Sequence, residues 1–218
     1  LHNDLGPGAR FFWFTTTGWM MWNYLVSGLL VGATPVLFDG DPGHPDLAAL
    51  WRTAADEGVT FFGTSAPFLM ACRKAGIRPA EAADLGALRA VGSTGAPLPA
   101  AGFEWVYEAV KGDLLLSSIS GGTDVCTAFV GGCPLVPVRA GEISCRYLGA
   151  KVEAYDEAGR SVVGEQGELV VTAPMPSMPV GFWGDEDGAR YRAAYFERHP
   201  GVWTHGDWVT FQPDGACT

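Results

Sequence analysis

Two carboxylates and a hydroxyl stand where they could handle a nucleotide. Residues 117–124 read Ser-Ser-Ile-Ser-Gly-Gly-Thr-Asp, so Thr123 sits beside Asp124 directly after a β-rich run. A threonine hydroxyl can donate to a phosphate oxygen, and an aspartate is a hard oxygen ligand for Mg²⁺. A metal held between that carboxylate and a phosphate would offset charge repulsion during displacement at phosphorus. The same residues also suit a plain polar turn. Asp207 lies in Val202-Trp203-Thr204-His205-Gly206-Asp207-Trp208, hemmed by aromatics. A carboxylate there can accept both hydroxyls of a ribose, as acidic residues do in other nucleotide sites, or it is a solvated turn residue.

Two further stretches offer surfaces rather than reactive groups. Residues 91–99, Val-Gly-Ser-Thr-Gly-Ala-Pro-Leu-Pro, are rich in small side chains and fall between a strand and a helix. Such a loop lets a flat ligand approach the backbone, and Gly allows turn dihedrals that other residues resist. It also fits an ordinary strand-to-helix connection. Residues 15–22, Thr-Thr-Thr-Gly-Trp-Met-Met-Trp, suit either the wall of an apolar ligand pocket or a helix whose Trp and Met residues pack in the core. The four histidines, His2, His44, His199 and His205, show no metal-ligand spacing. Neither a nucleophile elbow nor a Walker phosphate loop is present.

The elements that must carry these residues follow from periodicity. Up to residue 130, short β-rich runs alternate with helical patterns. Strands are expected over residues 11–16, 34–38, 59–62, 88–91 and 114–118, and helices over 19–30, 46–57, from Pro67 onward, and over 99–110. That alternation implies an α/β fold with a parallel sheet covered on both faces. Ligands in such sheets bind at loops beyond the carboxyl ends of the strands. After Gly131 the pattern changes. Short strands over 142–147, 151–155, 167–172 and 208–211, separated by turn residues, imply a small antiparallel sheet or partial barrel with a helix over 185–196. The expected division is an αβ-layered subdomain over residues 1–130 and a β-rich subdomain over 131–218.

Composition narrows the function classes. Hydrophobic residues make up 48% and charged residues 17% of the chain, enough to bury a core and too apolar for disorder. A net charge of −10 disfavours binding to nucleic acid through a basic surface. It leaves room for a nucleotide, whose phosphates can be held by backbone N–H groups and a metal. The cysteines are five in number, with neither a CxxC pair nor a disulfide pattern, and read as reduced thiols in a cytoplasmic protein. No apolar run reaches the length of a membrane span. There is no signal-peptide pattern and no initiator Met, and both ends read as cut from a longer chain.

Taken in order, TTTGWMMW, GSTGAPLP, SISGGTD, a GELVV strand and GVWTHGDW resemble the adenylate-forming acyl-CoA synthetases over nearly the whole chain. Within that family, the THGDW stretch, the SGGTDV loop and the opening HNDLG are similar to members that activate acetoacetate. The resemblance implies the substrates acetoacetate, ATP and CoA, with Mg²⁺. Acyl-adenylate and pyrophosphate form first, and CoA then displaces AMP. By the same resemblance, Gly95, Ala96 and Pro97 lie along the adenine, and Gly121 and Gly122 also belong to the ATP/AMP-binding residues. Thr123 contacts the α-phosphate, Asp124 binds Mg²⁺ and Asp207 holds the ribose. Trp19, Met20, Met21, Thr94, Ser120 and Gly121 line the acyl pocket. Gly121 is expected to leave volume for the longer acid, so that Gly121→Trp would shift preference toward acetate. The family's upstream phosphate loop and its C-terminal domain with a catalytic Lys are expected outside these residues, so this piece alone is expected to be inactive. The alternatives are a ligase for another short acid or a carrier protein, or a non-catalytic domain of the same fold. The oligomeric state stays open.

Overall fold

A computed structural model describes residues 1–218. The chain divides into two compact units, Leu1–Ile119 with Gly132–Ser144, and Ser120–Gly131 with Cys145–Thr218. The sequence pattern put a single boundary at 130/131. The units instead part at 119/120, and residues 132–144 return to the first unit.

The first unit is built on a five-stranded parallel sheet. Its strands are β1 (Arg10–Trp13), β2 (Thr34–Val36), β3 (Phe61–Ser65), β4 (Ala90–Thr94) and β5 (Leu115–Ser118), in the order β2-β1-β3-β4-β5. Helices α1 (Met20–Ser27), α2 (Ala49–Asp56), α3 (Ala66–Lys74), α4 (Pro79–Ala82) and α5 (Ala100–Trp105) connect them. The expected helix over 99–110 exists, but its second half, Val106–Val110, widens into a π-turn. Alternate strand residues point to opposite faces, and both faces are buried. Phe12, Phe62, Val91 and Leu116 meet Leu50, Trp51, Leu69 and Phe103 on one side. On the other, Phe11, Trp13 and Phe61 meet Met21 and Leu25 of α1. A strand buried on both faces reads as a continuous apolar run, which is why these strands were legible.

Trp13 explains two glycines. A Cβ on Gly63 would overlap its indole, and one on Gly92 would lie 2.7 Å from its Cζ3. The indole therefore lies flat over β3 and β4. Ser65 ends β3 and caps α3, its Oγ accepting from Phe68 N at 3.3 Å. Ser65→Ala is expected to lower stability by about 1 kcal/mol, read as a shift in the denaturation midpoint with an unchanged slope.

The second unit holds two antiparallel sheets. One is β6 (Ser120–Gly122), β7 (Thr127–Gly131) and β8 (Cys145–Arg146). The other is ordered β10-β9-β11-β12, from β9 (Val152–Tyr155), β10 (Ser161–Val162), β11 (Gln166–Val171) and β12 (Trp203–Thr210). The strand expected over 142–147 shrinks to two residues, and the last strand starts at Trp203 rather than Trp208. Helix α6 (Ala189–Phe196) is an aromatic face. Its Tyr195 ring stacks on Trp203 at 3.6 Å between centroids, 13° from parallel.

Two irregularities shape this unit. In β11–β12, Glu168 pairs with Trp208 and Val170 with Thr204, so Leu169 alone faces His205, Gly206 and Asp207. In β6–β7, Ser120 pairs with Val130 and Gly121 with Ala128, leaving Phe129 extra on β7. Bulges of this kind bend a strand and re-aim its side chains.

Candidate active site

In the first unit, the chain leaves β1 toward β2 on one side and later reaches β3 on the other. The carboxyl ends of β1 and β3 are therefore a switch point, where ligands bind in open α/β sheets. The loop over residues 14–19 follows β1, and the Gly95-Ala96-Pro97 loop follows β4. Gly95, Ala96 and Pro97 are exposed, and Gly95 takes φ +83°, which favours glycine. A Cβ on Gly95 would stand 3.7 Å from Trp19, so the fold brings the glycine loop and Trp19 together. Trp19 and Met20 are half-buried at the margin of the α1 core. Met21 is only 5% exposed and packs inside that core, which leaves it a packing residue rather than a pocket wall. The Thr94 hydroxyl donates to Ile119 O at 2.7 Å, so its polar atom is already committed.

In the second unit, Thr123 and Asp124 lie on the turn of the β6–β7 hairpin, both exposed. The turn is closed by Cys126 N donating to Thr123 O at 3.1 Å, and Cys126 itself takes φ +49°. Gly121 does not open a cavity. A Cβ there would overlap Thr127 O and sit 2.6 Å from Ala128 Cα, so the partner strand's backbone fills the space. The expectation that Gly121 makes room for an acyl chain is corrected accordingly: its lack of a side chain serves the hairpin. Ser120 pairs with Val130 at the start of that hairpin.

Asp207 is the last residue of the β12 bulge, and it is exposed. Gly206 beside it takes φ +94°. His205, set aside in the sequence for want of metal-ligand spacing, sits at the centre of the unit's polar groups. Its side chain is 9% exposed, and Nε2 lies 3.8 Å from Asp207 Oδ2. Burial pushes its pKa below the ordinary histidine value, while the charges of Asp207 and Asp124 pull the other way. The net direction is down, so the ring is neutral near pH 7. Its edge contacts Phe129, the bulge residue of β7, with centroids 4.6 Å apart.

Tyr195 is a second residue that spacing did not single out. Burial, the charge of Asp124 and a hydrogen bond to Asp124 push its pKa up to about 12. The phenol therefore stays protonated and donates to the Asp124 carboxylate. Both residues were hidden for one reason: they meet Asp124 only through packing of α6, β12 and the hairpin, which no local spacing records.

An exposed carboxylate beside a hydroxyl, with a phenol rather than a Lys or Arg as its neighbour, suits a hydrated divalent cation. Mg²⁺ keeps several waters and takes one or two carboxylates plus substrate phosphates. Asp124 with Thr123 fits that donor set.

Comparison with known proteins identifies the family. The family model described as AMP-binding enzyme matches residues 2–180. The acetoacetyl-coenzyme A synthetase of Rhizobium meliloti (strain 1021) is 53% identical over 99% of this chain and 33% of its own length. The acetoacetyl-CoA synthetase of Gallus gallus is 45% identical over 98% of this chain and 32% of its own. The solved acetoacetyl-CoA synthetase from Streptomyces lividans superposes with a TM-score of 0.95 at 54% identity, covering 100% of this chain and 34% of that one. The chain thus spans about a third of the length of these relatives. No helix is long and apolar enough to cross a membrane. With residues 2–180 inside the family match, the chain belongs to the AMP-binding enzyme family.

Proposed function

We propose that these residues are the nucleotide- and acyl-binding part of an ATP-dependent ligase that converts acetoacetate to acetoacetyl-CoA. The reading rests on one observation: Asp124 on the β6–β7 hairpin turn and Asp207 at the end of the β12 bulge are both exposed, and the charges of both act on the same histidine. The names of the relatives support the choice of acid. In the first half-reaction a carboxylate oxygen of the acid attacks the α-phosphorus of ATP, and pyrophosphate leaves. In the second, the CoA sulfur attacks the acyl carbonyl, and AMP leaves.

The residues take separate roles. Gly95, Ala96 and Pro97 offer a flat, exposed backbone to the adenine. Asp207 accepts from the ribose hydroxyls, and the Thr123 hydroxyl donates to the α-phosphate. Asp124 is the Mg²⁺ ligand, and the metal supplies charge neutralisation. Trp19, Met20 and the methyl of Thr94 bound the acyl group. No protein base is required, because the acid is already ionised near neutral pH. Catalysis is positioning and charge stabilisation.

The test uses an enzyme of the relatives' full length carrying these residues, called the full-length enzyme below. With ATP and Mg²⁺ it is expected to release pyrophosphate on addition of acetoacetate. CoA should then yield AMP and acetoacetyl-CoA in equal amounts. Acetate should have a kcat/KM at least about tenfold lower, equivalent to about 1.4 kcal/mol. Absence of pyrophosphate with every carboxylic acid would refute the ligase. Preference for another acid would keep the ligase and refute acetoacetate.

A further inference from the structure

The His205 imidazole is fixed on every side. Trp203 Nε1 lies 3.3 Å from His205 Nδ1. An indole N–H can only donate, so Nδ1 accepts and the proton of the neutral ring sits on Nε2. That N–H faces Asp207 Oδ2 at 3.8 Å, too far for a hydrogen bond but close enough for the dipole to orient the carboxylate. The Cε1–Nε2 edge of the ring rests on Gly122. A Cβ on Gly122 would overlap His205 Cε1 and lie 2.9 Å from Nε2, so only glycine can stand there. Gly122 is buried and immediately precedes Thr123 and Asp124. Phe129 closes the remaining side.

One side chain thus touches the neighbourhood of both carboxylates. We propose that His205 is a positioning residue: seated on Gly122 and held by Trp203, it sets the Thr123-Asp124 hairpin turn and Asp207 in register with each other. This rests on the roles proposed above for Asp124 and Asp207. His205 touches no reacting atom. A small residue in its place would leave a void against Gly122 and Phe129, free the turn and leave Asp207 without an oriented neighbour. The pairing also accounts for Gly122, whose lack of a side chain makes the seat for the ring.

Three variants of the full-length enzyme test this. His205→Phe keeps the ring and its packing but loses both nitrogens. His205→Gln keeps a side-chain N–H that can reach toward Asp207. His205→Ala removes the ring. The Ala and Phe variants are expected to raise the ATP KM about tenfold, and Gln to recover most of that rise. Ala and Gln, which lose the ring seated on Gly122, are expected to lower the kcat of pyrophosphate release several-fold, while Phe keeps most of it. In an Asp207→Ala background, His205→Phe should add no further rise in the ATP KM, because the group it orients is already gone. A merely structural histidine would lower the melting temperature of the Phe and Ala variants and leave KM and kcat per folded molecule unchanged. That outcome, or independent effects of His205→Phe and Asp207→Ala on the ATP KM, overturns the proposal. Asp124→Ala and Asp207→Ala measured alongside separate the two failures. If they are fully active, the assigned roles are wrong. If they are impaired while His205→Phe behaves as wild type, only the positioning role falls. His205→Phe preserves side-chain bulk, so a folded variant remains if the Ala form fails to accumulate.

Discussion

Asp124→Ala should cut pyrophosphate release by the full-length enzyme by about 100- to 1000-fold, the usual cost of losing one preset charge-stabilising group. In the role proposed for it, the carboxylate would hold a metal whose neutralising effect grows as charge develops at phosphorus. Its loss therefore falls on kcat rather than on ATP binding. Asp207→Ala should do the reverse, because ribose is bound similarly in the ground and transition states: the ATP KM rises and kcat changes little. Stability offers a control. Tyr195 donates to Asp124 and is 9% exposed. Removing the acceptor leaves a largely buried phenol unpaired, at a cost of about 1–3 kcal/mol. Asp124→Asn keeps an acceptor and drops the charge, so it should show the kinetic loss with little loss of melting temperature. The same kinetic pattern in the Asp124 and Asp207 variants would sink the separate roles.

The second large effect belongs to Gly121. Substitution there drives a side chain into the backbone of β7, and a backbone oxygen cannot rotate away. Gly121→Ala is expected to cost about 1–3 kcal/mol, the range of overpacking in a tight site, with Gly121→Trp costing more. Because the hairpin carries Thr123 and Asp124, activity with acetoacetate and with acetate should fall together and leave their ratio unchanged. Denaturation midpoints and kcat/KM for both acids are the measurements. A ratio shifted toward acetate would return Gly121 to the acyl pocket and overturn the steric argument.

The parallel sheet was readable because its strands are short apolar runs fenced by turn residues. The edges were less so. β3 runs on through Gly63, Thr64 and Ser65, residues of modest strand propensity that are held by pairing to β4. The β6–β7 hairpin was invisible for the same reason, since Ser-Gly-Gly becomes a strand only against its partner. The start of β12 was lost because His-Gly-Asp looks like a turn, and locally it is one: a bulge inside a strand. In the candidate site, residue type singled out Thr123, Asp124 and Asp207. The same reasoning passed over His205 by asking only whether it could bind a metal, when its partners are an indole, a glycine and a carboxylate. The family resemblance also counted Met21 as lining, although helical spacing turns that residue inward.

The bulge in β12 has an entropic side. Residues 205–207 are pinned between two paired positions, Thr204 and Trp208. Fixing the backbone of a free residue costs about 1–2 kcal/mol, so ordering three would cost about 3–6 kcal/mol. On a mobile loop, that cost would fall on each binding event and weaken the grip on the nucleotide. Here it is met once, when the strand pairs. In the role proposed for it, Asp207 would therefore meet a ligand already in place, and the free energy of its contacts would go into affinity rather than into ordering the chain.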